Sequence, residues 1–246
     1  MRFPLPILML ASLLLSAAPA FAAVDTSPSS FLDVERARFT PPAFNEIDIA
    51  MGYYGQSRPV GVSFRRGLSA GSELQVSLGL YDSAQSNSGS TVELGLGWKH
   101  KLPSFGPVVS AIDASAFYGQ AGSPVGYGAM LALPVTMDVR PGEITLAPRL
   151  LLPDLGNADR LSSATAGLQV GYLWPVYPYV TVMGALIPAY GYQTGFQAPI
   201  QLGVRLSPVP TVHIEIGVST SGQPVAATPL NFASFSLAHV TLRYGY

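Results

Sequence analysis

Cysteine is absent from the 246 residues, which excludes disulfide stapling and lipid attachment at an N-terminal cysteine. Charge is scarce as well: Asp, Glu, Lys and Arg make up 11% of the chain, against about 25% in an ordinary globular domain. The 13 basic and 14 acidic residues nearly cancel, so no strongly basic surface is available and nucleic acid is not an expected partner. Long hydrophobic runs are missing too. Beyond the first fifteen residues nothing approaches the roughly 18 uninterrupted apolar residues of a membrane-crossing helix.

Yet the mean hydropathy is +0.34 and hydrophobic residues form 48% of the chain. A chain this apolar without helical spans must distribute its apolar residues in another way. Alternation, with lipid on one side of each strand, is that way.

The opening MRFPLPILMLASLLLSAAPAFA has a positive Arg2, an apolar run from Leu5 to Leu15 and a small-x-small site at Ala20, Phe21 and Ala22, the layout of a cleaved signal peptide. Removing residues 1–22 leaves about 224, enough for one large all-β domain. The stretch 23–43 contains Ser30 three positions before Asp33, resembling a helix cap, and Pro41-Pro42, which would stop such a helix. It reads as a flexible periplasmic lead-in, with a plug lying in the lumen as the alternative.

From Phe44 onward, segments of about ten residues alternate apolar and polar between clusters of Gly, Pro, Asn, Asp and Ser. Twelve are expected, at 44–54, 58–66, 72–82, 90–101, 107–119, 124–139, 142–152, 163–174, 177–188, 196–207, 210–220 and 231–246. Counts of ten or fourteen stay open, because Pro134, Pro148 and Pro199 fall inside segments and would each remove a ladder hydrogen bond. The ninth segment is apolar in both phases, and residues 231–238 shift phase, as a bulge would.

Charge keeps to one phase. Glu46, Asp48, Glu73, Glu93, Asp113, Asp138, Glu143 and Glu215, with Arg65, Lys99, Arg149, Arg205 and Arg243, lie opposite the apolar set of their segments, as do His213 and His239. Connections after even-numbered segments are compact, and several after odd-numbered ones are long and polar, the asymmetry of a transmembrane barrel with short periplasmic turns. Outward-phase aromatics sort to two levels: Phe64, Trp98, Tyr172, Trp174, Tyr244 and Tyr246 near the short turns, and Tyr53, Tyr118, Tyr127 and Phe196 at the far end. Two girdles are what amphipathic rings form at two headgroup layers. The fold class is therefore all-β, a transmembrane antiparallel up-and-down barrel of about twelve strands over 44–246.

The last strand, HVTLRYGY, carries Val240, Leu242, Tyr244 and Tyr246 in alternate positions. It resembles the C-terminal assembly signal of bacterial outer-membrane β-barrel proteins. That resemblance implies Gram-negative export, periplasmic chaperones, the barrel-assembly machinery and an outer-membrane lipid environment.

Candidate chemistry is sparse. Gly67-Leu68-Ser69-Ala70-Gly71 fits a nucleophile elbow in spelling only, because a strand rather than a helix follows. His213 and Glu215 share the inward face of one segment and His239 that of the next, but no serine stands out beside them. No metal-ligand spacing or cofactor motif is present. Closure would bring Arg243 toward Glu46 and Asp48, with Glu215 on its other side, either as a structural salt-bridge network or as a charged eyelet. Inward Gly, Ala and Ser are frequent, so a narrow channel for small solutes is the expected function, with no cofactor and no catalytic residue assigned. The alternatives are an outer-membrane lipid or peptide hydrolase, a structural or adhesive barrel without an open pore, and a soluble exported sandwich.

Overall fold

The computed structural model describes residues 30–31, 34–53, 60–81, 91–120, 125–152, 155, 164–191, 195–220 and 236–245. The expected signal peptide over residues 1–22, Tyr246 and most of the long connections lie outside these residues. So do the side chains of Tyr53, Glu93, His239, Val240, Leu242, Arg243 and Tyr244.

In chain order the strands are β1 (Ser30–Phe31), β2 (Val34–Glu35), β3 (Phe44–Tyr53), β4 (Val60–Ser69), β5 (Ser72–Tyr81), β6 (Thr91–Lys101), β7 (Val108–Gln120), β8 (Val125–Ala132) and β9 (Val135–Val139). There follow β10 (Gly142–Leu152), β11 (Thr165–Tyr177), β12 (Val180–Leu186), β13 (Ala189–Gly191), β14 (Gly195–Gln197), β15 (Ile200–Val209), β16 (Val212–Ser219) and β17 (Ser236–Gly245). From β3 onward every pairing is antiparallel, and β17 returns to pair with β3, so the sheet closes on itself. Closure leaves no edge strand to hydrogen-bond elsewhere, a requirement for any sheet in hydrocarbon.

The described strands make twelve passes, because β8 and β9, β12 and β13, and β14 and β15 are halves of three interrupted staves. The interruptions fall at Leu133-Pro134, Ile187-Pro188 and Ala198-Pro199. Each proline lacks an N–H, but its carbonyl still accepts. Pro134 takes the N–H of Ala111 at 2.9 Å, Pro188 that of Leu168 at 2.8 Å and Pro199 that of Ile187 at 3.0 Å. Pro148 does not break β10; it lies opposite the gap and accepts from Leu133 at 2.9 Å. The missing donors are thus gathered where the neighbouring strand is already broken.

The alternation resolves into two faces. Ile49, Val62, Val76, Leu78, Leu94, Leu96, Val204 and Ile216 point outward and are exposed, whereas Glu46, Arg65, Glu73, Lys99, Asp113, Glu143, Arg205 and Glu215 of the opposite phase are buried; Asp138, near a turn, is exposed. Two-residue turns at Ala70-Gly71, Arg140-Pro141, Pro178-Tyr179 and Pro210-Thr211 lie at one end of the barrel. Several strands pass the bounds read from the sequence: β4 continues through Gly67 and Leu68 to Ser69, β11 runs through Pro175 and Val176 to Tyr177, the stave of β12 and β13 reaches Gly191, and β15 runs on to Val209.

The described aromatics lie toward both ends of the strands. Trp98 stacks on His100, ring centroids 5.2 Å apart, and donates to Ser72 Oγ beside a short turn. At the other end Tyr118 and Tyr127 meet at 5.3 Å, and Phe196 pairs with Tyr190. Tyr172 and Trp174 are exposed, joined by Tyr177, Tyr179 and Phe105 at the turn end. Phe64 departs from the expected level: it lies in an outward row with Ile47 and Val76, set back from its turn.

Among the described residues before Pro41 no helix follows the cap-like spacing of Ser30 and Asp33. Ser30–Phe31 and Val34–Glu35 instead pair with each other, and the chain continues to Thr40 along the inner wall of the barrel. Val34 and Ala37 have no exposed surface, and the partners of this stretch are inward-phase residues of β4, β5, β6, β9, β10 and β11. Its exit is a turn in which Phe44 N–H donates to Pro41 O at 3.0 Å and Ala43 has a φ of 65°. Proline at the second position and a positive φ at the third are the features of a type II turn. That turn rests on Gly67, where a Cβ would lie 2.2 Å from Pro41 O.

Candidate functional site

The interior is organised by residues 34–40. The Arg36 guanidinium grips Glu143 with two parallel hydrogen bonds, Nε to Oε1 and Nη2 to Oε2, each 2.6 Å. Such a fork fixes direction as well as charge. Arg38 donates to the same carboxylate at 3.1 Å and also to Asp138. Main-chain N–H groups are satisfied too: Ala37 donates to Thr136 Oγ1 at 2.8 Å and Thr40 to Glu73 at 2.7 Å. The bland expectation of a free lead-in is therefore replaced by a lumenal element over the described residues.

Glu35 is the centre of a second cluster. Lys99 Nζ lies 2.6 Å from one carboxylate oxygen and Arg65 Nη2 3.3 Å from the other. Burial alone would raise the pKa of Glu35, but the charges of Arg65 and Lys99 outweigh it and hold this carboxyl below the usual range. Lys99 also lies 3.9 Å from Glu73 and 5.3 Å from the Phe39 ring centroid, and Arg65 lies 3.7 Å from Glu46.

A third pair joins neighbouring strands, with Arg205 Nε donating to Glu215 at 2.7 Å. In register, Glu215 also stands opposite His239, Glu46 opposite Arg243, and Asp48 opposite Thr241. The pairing of Arg243 with Glu46 expected from closure is present in the backbone register, with Asp48 one inward place along, but Glu215 does not flank Arg243: it lies two inward places away, with His213 between. Asp48 and Arg149 are half-buried on inward phases.

The second apolar phase of the ninth segment acquires a reason here. Met183, Ala185 and Ile187 point inward with Leu173 and form a small apolar patch against Val34. Full burial of one such side chain is worth about 1.5–3 kcal/mol. An inward apolar row on a stave beside β11, whose inward side carries Gln169, and β15, whose inward side carries Arg205, was the sequence signal that something occupies the lumen.

Sequence reasoning also missed Ser207, whose Oγ lies 2.8 Å from His213 Nδ1. The signal was available: both residues lie in the inward phase on either side of a two-residue turn. The Gly67-to-Gly71 stretch is strand, turn and strand, with Gly71 N–H donating to Ser69 Oγ at 3.4 Å. Among the described residues no cluster of three metal-ligating side chains occurs.

Above Glu35, away from the short turns, the lumen opens into a cavity of about 450 Å³ bounded by Gln75, Ser77, Asp113, Phe117 and Met130. Gly95 and Gly97 lie in its wall, so small inward residues leave real volume. The Phe117 ring lies over Gly128, where a Cβ would be 2.1 Å from its carbons.

No protein-family model matches the chain, and no curated relative does. Solved structures do match. The KdgM porin superimposes with a TM-score of 0.58 at 9% identity, covering 82% of this chain and 99% of its own. The NanC porin gives 0.57 at 8% identity, covering 81% and 99%. An outer-membrane channel from Pseudomonas putida F1 gives 0.57 at 10% identity, covering 87% and 100%. The fold is that of the outer-membrane β-barrel proteins.

Proposed function

We propose that this protein is an outer-membrane β-barrel that serves as a narrow passive channel for small solutes, constricted at its short-turn end by residues 34–40. The observation that carries this reading is the 450 Å³ cavity left inside the ring by inward glycine and serine. A barrel kept only as a scaffold gains stability by filling such space with side chains. The likeness in fold to two porins and a channel supports the reading as analogy.

The experiment is single-channel recording of the refolded full chain in a planar bilayer. Discrete conductance steps are expected, with larger steps after deletion of residues 24–40. A bilayer that stays silent with both proteins, each verified as folded by its heat-modifiable gel shift, rejects the channel.

A second reading, hydrolysis of an ester or amide, has one observation in its favour, the hydrogen bond between Ser207 and His213. It requires turnover of a p-nitrophenyl ester that is lost in Ser207→Ala. Absence of turnover in the unaltered protein removes it.

A further inference from the structure

Asp113 on β7 is only 4% exposed, and among the described residues no hydrogen bond or ion pair reaches its carboxylate. Its cross-strand partner is Lys99. That ammonium is turned instead onto Glu35 at 2.6 Å and toward Glu73 at 3.9 Å. Arg65 is likewise engaged by Glu35 at 3.3 Å and Glu46 at 3.7 Å. By delivering Glu35 into the lumen, the N-terminal segment draws both nearby cations away from Asp113. Arg149 follows in the same row, but one strand further than Ala132, hence about 9 Å away at the usual strand spacing.

Four carboxylates, Glu35, Glu46, Glu73 and Asp113, therefore face two cations, Arg65 and Lys99, in mutual electrostatic contact. Arg65 and Lys99 contact Glu35, Glu46 and Glu73, and Arg243 stands opposite Glu46 in register, so among the described residues Asp113 is the carboxylate of the four that no cation contacts. A buried charge without a partner is strongly unfavourable, and this one faces open volume. Asp113 and Glu35 bound the 450 Å³ cavity, with Gln75 and Ser77 on one side and Phe117 and Met130 on another. Pockets of a few hundred Å³ with apolar walls and one or two convergent polar groups are the usual form of a small-molecule site. The electron-rich face of an aromatic ring also favours a cation.

We propose that this cavity binds a small organic cation, an ammonium or guanidinium group on a short apolar body, with its charge on Asp113 and its body against Phe117 and Met130. The inference names the solute class for the channel reading and rests on that reading for the route by which the cation arrives. An anion would meet the Asp113 carboxylate, and a neutral polar solute would leave Asp113 uncompensated.

The test uses the full chain in detergent micelles and benzylammonium as probe, titrated by calorimetry near neutral pH. Benzyl alcohol and benzoate serve as neutral and anionic controls, all in about 100 mM KCl, where long-range attraction is screened beyond about 10 Å. Benzylammonium is expected to bind and both controls to fail. Asp113→Asn should weaken binding about tenfold or more, the scale of one lost charged contact. Equal binding of benzyl alcohol, undiminished binding in Asp113→Asn, or no heat from a barrel that retains its gel shift would each overturn the site. Conductance is measured separately. A silent bilayer with calorimetric binding intact rejects the channel and leaves the site, and conductance without charge discrimination does the reverse.

Discussion

Arg36 donates to both oxygens of Glu143 from a position with no strand of its own to hold it. The pair is nearly out of contact with solvent, side-chain exposures being 3% and 9%, so breaking one partner leaves an uncompensated charge in a poor dielectric. Arg36→Met and Glu143→Gln are each expected to cost about 3 kcal/mol in urea unfolding of the barrel in detergent, whereas the double variant carrying both substitutions should cost less than the sum. Additive losses would show that the fork contributes nothing as a pair. Gly67 acts at the same scale, because its missing Cβ is what lets the Pro41 carbonyl approach.

At the scale of the element, the strands were legible because lipid on one side and a charged interior on the other enforce the two-residue period without relief. Val76, Leu78 and Leu80 against Gln75, Ser77 and Gly79 is a pattern that no compact core would impose so evenly. Strand ends were less legible. Gly67 was read as turn because glycine usually is, but its place in β4 is set by the close approach of Pro41, a contact remote in sequence. The lumenal course of residues 34–40 stood only as the alternative to a flexible lead-in, because Ser30 and Asp33 suggest a helix cap by local rules. Its signals were tertiary: β12 carries Met183 and Ala185 inside the ring, and an apolar inner face has to be covered by something. Ser207 escaped for a related reason, since its partner His213 becomes a neighbour only through the turn at Pro210 and Thr211.

At the scale of the whole molecule, the barrel and its occupant are two bodies joined by charge, and pH acts on the joint. Glu35 is held below the ordinary carboxylate range by Arg65 and Lys99 against the effect of its burial. A carboxyl depressed in this way contributes docking free energy that is fully present above its free value of about 4.3 and is lost as pH falls through the lower docked value. Channel conductance is therefore expected to stay level from neutral pH down to about pH 5 and to rise in more acid solution as the segment loosens. Glu35→Gln should show the acid conductance already at neutral pH. A profile unchanged by that substitution would mean that other lumenal carboxylates, such as Glu73 or Glu143, govern the joint.

The turn from Pro41 to Phe44 has a consequence that is best expressed as a concentration. Two prolines in succession give the tether little freedom, and it joins Thr40 to the first residue of β3 over only three positions. A short tether whose reach matches its span holds its cargo at an effective concentration in the millimolar range or above. A dilute solute competing for Arg65, Lys99 or Glu143 is outnumbered by a neighbour that never diffuses away. In the channel reading, passage then depends on space beside the segment, and cutting the chain after Ala43 would turn an internal contact into an ordinary, dilutable ligand.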